Sequence, residues 1–272
     1  MEKILKRLRY YLFRDKSIKE GPLVTLGVIC ICILVFIGQL FIGYKYGSET
    51  NAMIVMGGYY RNYIVILNQY WRFITYGFVH GDIIHLLMNM YALVNLGTMI
   101  ESIVGHKKYA LVLFMSIIGG GLLAHLASSE LVVGLSGGLY GLIGLLCVIA
   151  YKANWFKNPQ IRDSFIRTLF INLLISFMPS VSMAGHIGGL VIGLLFGLIY
   201  TTSNQEKKSI YFYNKIFATV LCIIILSVMM IRDNKVIRLY SNDISVLQIY
   251  QEFGMNVDAE YLKIYNAFYG GY

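Results

Sequence analysis

The stretch MAGHIGGLVIGLLFGLIY, Met183 to Tyr200, is apolar from end to end except for one histidine. It carries Gly185, Gly189, Gly193 and Gly197 at a strict four-residue spacing. A helix of this length approaches the roughly 20 residues that cross a hydrocarbon core. Glycines four apart let a neighbouring backbone come close in lipid, where helix association depends on fit rather than on expelling water. Six further stretches read the same way: 23–43, 83–100, 109–127, 131–151, 164–181 and 216–231. Arg167 is the one charged residue in all seven. A bilayer enforces such a partition, because an ionised group at mid-depth costs at least ~3 kcal/mol on insertion scales.

Composition agrees. Of 272 residues, 57% are hydrophobic and 14% charged, and the mean hydropathy is +0.64. A soluble domain carries about 25% charged residues, so disorder, collagen, coiled coil and an ordinary cytosolic enzyme are excluded. The net charge of +9 reads as headgroup contact and topology rather than nucleic-acid binding. Residues 1–22 form a basic segment ahead of an apolar run too long for a secretory signal, with no evident cleavage site. Placing that segment inside puts 16 of the 23 Lys and Arg residues on the inner side. The expectation is an inner N-terminus, an odd number of spans and an outer C-terminal tail. Cys30, Cys32, Cys147 and Cys222 fall within apolar runs and read as small hydrophobes. The tail 232–272 is polar and Tyr-rich, and no role is assigned to it from the sequence.

Polar side chains inside spans are functional candidates by default. His106 sits in a basic turn and reads as solvated, His125 as a packing residue and His80 as structural. His85 and Asn89 lie four apart on one face of the second span. Ser136 stands in Gly134-Leu135-Ser136-Gly137-Gly138 of the fourth span, and His186 in Gly185-His186-Ile187-Gly188-Gly189 of the sixth. With an inner N-terminus these three spans run from outside to inside, so the four groups share one depth near the outer face. The bland alternative is that the glycines and the serine serve packing alone. Close packing of the fourth and sixth spans would nevertheless bring Ser136 beside His186. A serine hydroxyl needs a base to take its proton, and a histidine is the natural one. No carboxylate lies at that depth, which points to a Ser–His dyad. Asn89, His85 and a backbone N–H near Ser136 could steady a tetrahedral oxyanion.

Together these residues resemble the rhomboid intramembrane serine proteases. The matching features are Trp71-Arg72, His80-x4-His85-x3-Asn89, Glu101-x3-Gly105, Gly134-Leu135-Ser136-Gly137 with Tyr140, and Gly185-His186-x-Gly188-Gly189, across residues 70–200. Gly185 departs from the alanine common there, small for small. The resemblance implies an all-α polytopic membrane protein with a six-helix rhomboid-like core (23–202). A linker and seventh transmembrane helix (203–231) and an extracytoplasmic tail (232–272) would follow. It implies Ser136 as nucleophile, His186 as base, His85 and Asn89 at the oxyanion hole, and Tyr140 packed against His186. Trp71 and Arg72 would shape the first outer loop. The expected partners are transmembrane protein substrates and membrane lipid, with no nucleic acid, metal or organic cofactor. Substrate is expected to enter between spans two and five, with the loop Met178 to Ala184 as a cap. The expected setting is a bacterial plasma membrane. Two other classes compete: an inactive relative that escorts membrane clients, against which both Ser136 and His186 are present, and a transporter, against which no span holds an acidic residue.

Overall fold

A computed structural model describes residues 21–127, 129–176, 181–201 and 240–269. The expected seventh span 216–231, the basic segment up to residue 20 and residues 178–180 of the expected cap lie outside the described residues. Among those described, four helices are long and apolar enough to cross a membrane: Leu23–Tyr46, Ile83–Val104, His106–Leu126 and Met183–Tyr200. Ser136–Lys152 is a shorter apolar helix. The chain is a polytopic, mostly helical membrane protein.

In chain order, α1 (Leu23–Tyr46) is followed by a loop holding α2 (Glu49–Val55), β1 (Tyr59–Tyr60), α3 (Arg61–Leu67) and α4 (Arg72–Thr75). Then come α5 (Ile83–Ala92), a π-helical turn over Leu93–Gly97, α6 (Thr98–Val104) and α7 (His106–Leu126). β2 (Leu131–Val132) precedes α8 (Ser136–Lys152), α9 (Pro159–Ser176) and α10 (Met183–Tyr200). The described chain ends with α11 (Tyr240–Glu252) and α12 (Asp258–Tyr269).

Local chemistry sets these limits. Gly47 ends α1 in the left-handed region at φ 65, where glycine carries no Cβ penalty. The Asp82 carboxylate accepts from the His85 amide at 2.8 Å and caps α5. Ser182 does the same for α10, its hydroxyl accepting from the Gly185 amide at 3.1 Å. The start of α1 is capped from afar, for Glu101 accepts from the Val24 and Thr25 amides, each at 2.9 Å, and from the Thr25 hydroxyl at 2.6 Å.

The centre of the molecule is the triplet α7, α8 and α10. Ser116, Gly119 and Gly120 of α7, Gly137 and Gly141 of α8, and the glycines of α10 bring backbones into direct contact. Dispersion between closely fitted surfaces is the main gain available to helices that lipid already solvates. On the perimeter α1 turns Leu34, Tyr44 and Phe41 outward, as a lipid-facing helix should.

Four expectations are corrected. The run 131–151 is not one helix: Leu131–Val132 pairs antiparallel with Tyr59–Tyr60, and the helix begins at Ser136. Continuous apolarity conceals that change, and the physical break is Gly134 at φ 115. The third span begins at His106 rather than 109, because Gly105 at φ 86 turns the chain sharply after α6. The same turn folds His106 back, so its Nδ1 meets the Glu101 carboxylate instead of open solvent. The fifth helix starts at Pro159, ahead of the expected 164, taking in charged residues that favour the boundary over the core.

Candidate active site

Ser136 is the first residue of α8, His85 lies in the first turn of α5 and His186 in the first turn of α10. Three helix N-termini thus converge at one depth. His186 Nε2 stands 2.8 Å from Ser136 Oγ. This contact follows from the glycine pairing, because Gly137 and Gly189 let α10 lie against α8 within one turn of the serine. The Tyr140 ring stacks on the His186 imidazole at 4.1 Å between centroids and 13° between planes. That face-on contact fixes the ring plane and leaves its edge toward Ser136.

Across the site stand His85 and Asn89. Asn89 is 5% exposed, and its Nδ2 donates to the His85 carbonyl at 3.0 Å, one turn back on the helix. The Gly81 amide donates to His85 Nδ1 at 3.4 Å, so Nδ1 is an acceptor and the ring proton belongs on Nε2. That side of the ring lies against Gly134, where even a methyl group would meet it at 2.7 Å. Gly134 is therefore required twice, by its φ of 115 and by its neighbour. His80 is fully buried beside His85 with ring centroids 5.2 Å apart, and Gln39 of α1 donates to its carbonyl at 2.6 Å. Burial, reinforced by His85, pushes His80 down to about 3, so it is neutral at physiological pH.

These groups line a cavity of about 530 Å³. His85, Asn89, Ser136, Tyr140 and His186 all border it, and it extends along one face of α5 and its continuation past Asn95 and Met99. No carboxylate borders it among the described residues. At an α-helix start the first amides have no intrahelical acceptor. The N–H groups of Ser136, Gly137 and Gly138 are of this kind, and the partial positive charge of α8 adds to them. Chemically, the set offers a hydroxyl beside an imidazole, with amide and side-chain donors for a negative oxygen nearby.

Trp71 and Arg72 do not reach the cavity. Trp71 is 47% exposed. Arg72 is fully buried, donating to the Ile54 and Gly58 carbonyls at 2.7 Å each and to Gln69 Oε1 at 2.7 Å. Three contributors escaped the sequence reading. Ser182 caps α10 and borders the cavity; a serine three residues before a helical amide was a legible signal. Tyr76 accepts from the Gly134 amide at 3.0 Å through its carbonyl and donates to the Ile117 carbonyl at 2.7 Å through its phenol. Asn95 sits two turns below the site, and as a polar residue inside the 83–100 span it was legible by the same rule that picked out Asn89.

A family model described as the Rhomboid domain matches residues 67–203, about half of the chain. RHOMBOID-like protein 6, mitochondrial, of Arabidopsis thaliana is 33% identical over 164 residues, which cover 59% of this chain and 53% of that protein. Rhomboid protease GluP of Bacillus subtilis is 30% identical over 148 residues, 54% of this chain and 29% of that protein. Rhomboid protease GlpG of Haemophilus influenzae is 27% identical over 194 residues, 69% of this chain and 94% of that protein. The chain spans about half the length of the first curated relatives it matches.

Proposed function

The chain belongs to the rhomboid family, and from that premise we propose that it is an intramembrane serine endopeptidase, cleaving transmembrane proteins near the outer membrane face. The observation that carries this reading is the 2.8 Å contact between Ser136 Oγ and His186 Nε2. Ser136 Oγ attacks the scissile carbonyl carbon while His186 Nε2 takes the hydroxyl proton. The carbonyl oxygen becomes an oxyanion, held by Asn89, by His85 Nε2–H and by an amide at the start of α8. The loss of one such donor typically costs ~10²–10³-fold in rate. Collapse breaks the C–N bond as His186 returns its proton to the leaving amine. Water, activated by the same imidazole, then releases the acyl group as a carboxylate and restores Ser136. Tyr140 keeps the imidazole in plane through both halves.

A peptide bond inside a helix hides its carbonyl in backbone hydrogen bonds, so a substrate must unwind locally before attack. The flank of the cavity along α5, past Asn95 and Met99, supports entry of a substrate helix between spans two and five. The sidedness has its own support. The end of α1 at Lys45 and Tyr46 bonds Glu252 of α11, so the C-terminal helices and Ser136 share the face opposite the start of α1. With the basic N-terminal segment placed inside by its charge, this favours an outer C-terminus and a seventh span joining the 23–202 core to the tail; a cell membrane is the proposed setting.

The test is cleavage of a model transmembrane substrate by the purified protein in detergent, beside Ser136→Ala and His186→Ala. Products seen with the wild type and lost in both variants establish the dyad. A fluorophosphonate probe on the same samples reports Ser136 directly. A folded wild type that neither cleaves nor labels would overturn the reading.

A further inference from the structure

The sequence gives the tail no task, yet α11 and α12 are seated on the loop between the first two spans. Ile54, Tyr60 and Tyr63 of that loop are buried in one cluster with Val246, Leu247 and Ile264 of the tail. Polar contacts frame the cluster. Asn62 donates to Asp243 Oδ2 at 3.0 Å, and the Tyr63 phenol to the Asp243 carbonyl at 2.7 Å. Arg72 donates to the Tyr250 phenol at 3.1 Å, and that phenol to the Val55 carbonyl at 3.3 Å. The guanidinium that bonds the Ile54 and Gly58 carbonyls is thus completed by a residue almost 180 positions away.

From this cluster a short run of bonds leads to Ser136. Tyr60 belongs to β1, whose partner is Leu131–Val132, and Leu131 also packs against the tail's cluster. The Arg61 amide donates to the Glu130 carbonyl at 3.0 Å. Arg61 Nη1 donates to the His125 carbonyl at 2.7 Å, holding the end of α7. Two residues beyond β2 comes Gly134, then Ser136. A ribbon of two residues per strand is marginal alone and needs a covering layer. Here that layer is the tail.

We propose that α11 and α12 form a clamp which, by covering the β1–β2 ribbon and completing the bonds of Arg72, positions the 130–136 segment and with it the Ser136 nucleophile. Asp243, Tyr250, Val246 and Leu247 are positioning residues, since none of them touches the cavity. This rests on the protease reading for its consequence in rate, but its structural part can be measured without it.

The full chain in detergent is compared with Val246→Asp/Leu247→Asp by hydrogen exchange and by the rate of fluorophosphonate labelling. Undocking should raise exchange at 240–269 and, with it, at 58–63 and 129–136, leaving α7 and α10 protected. Labelling should slow by roughly 10- to 100-fold, the scale expected when a reacting group shifts by about an ångström. Exchange that rises at 240–269 alone, with labelling at the wild-type rate, overturns the proposal. Should the double variant lose the protection of α7 and α10, Tyr250→Phe and Asp243→Leu are measured the same way. Raised exchange at 129–136 in either supports the clamp, and unchanged exchange in both overturns it. Asp243→Asn keeps an acceptor for Asn62 and, being neutral, should leave exchange at or below the wild-type level. Coupled exchange in a wild type that never labels would leave the clamp standing and refute the protease reading.

Discussion

Gly189 of α10 lies against the carbonyl of Gly137 in α8, with no room for a methyl group between them. One turn on, Gly193 meets Gly141 in the same way. The Ser136–His186 distance is set by this backbone contact, because each side chain stands one turn or less from it.

Gly189→Ala should therefore damage both stability and reactivity. Overpacking of this kind costs about 1–3 kcal/mol, and more where backbone opposes it. The expected result is a lower melting temperature in detergent and fluorophosphonate labelling slowed at least tenfold. Gly27→Ala is the control, since nothing lies within 4 Å of that position. Equal effects from the two substitutions would refute the argument.

The stack of Tyr140 on His186 gives a separate prediction. Aromatic pairs contribute about 0.5–1.5 kcal/mol beyond their buried area. Tyr140→Phe keeps the ring and should cleave within a few-fold of the wild type. Tyr140→Ala frees the imidazole to rotate and should lower kcat by about tenfold or more with a smaller change in KM. A Phe variant as impaired as the Ala variant would assign the effect to the phenol instead.

Glu101 governs the far end of the molecule. Its carboxylate closes the amides of Val24 and Thr25 and also holds His106. Removing one partner of a buried charged hydrogen bond strands the others, at about 1–3 kcal/mol or more. Glu101→Ala should lower the melting temperature and raise exchange at residues 23–26. Ser136 is remote from these contacts, so labelling at low temperature should stay near the wild-type rate. Slowed labelling without destabilisation would contradict this.

What could be read from the sequence follows from which interactions repeat along a chain. Apolar length and the four-residue glycine spacing are local and periodic, so the spans and the contact between the Gly137–Gly144 and Gly185–Gly197 helices were legible. Ser136, His186, His85 and Asn89 stood out because polar groups in lipid need a reason. The β1–β2 ribbon was hidden, since Leu131-Val132 reads equally as helix in an apolar run, and only the distant Tyr59-Tyr60 decides. Arg72 stood out only through the Trp71-Arg72 motif, and Asp243, in a tail given no role, not at all. Their burial depends on Asn62, Tyr63 and Tyr250, partners nearly 180 residues apart, and no local pattern encodes such a contact.

Asp243 also makes the seating of the tail depend on pH. It is fully buried beside Tyr60 and Asn62, and burial pushes its carboxyl up from 3.8 to about 6. The docked state thus prefers the protonated acid. Its contribution to docking is complete below about 3.8, falls as pH rises from 3.8 to about 6, and is flat above. Glu252 works in the opposite sense, held below its usual value by Tyr46 and Lys45. That pair is about half exposed, so water and salt screen it and its share is small. Opening of 240–269, followed by hydrogen exchange corrected for intrinsic rates, should be rarer at pH 5 than at pH 7.5. A single group changes the equilibrium by at most about tenfold per pH unit. In Asp243→Asn the difference should vanish, and a dependence that persists unchanged in that variant would remove Asp243 as its source.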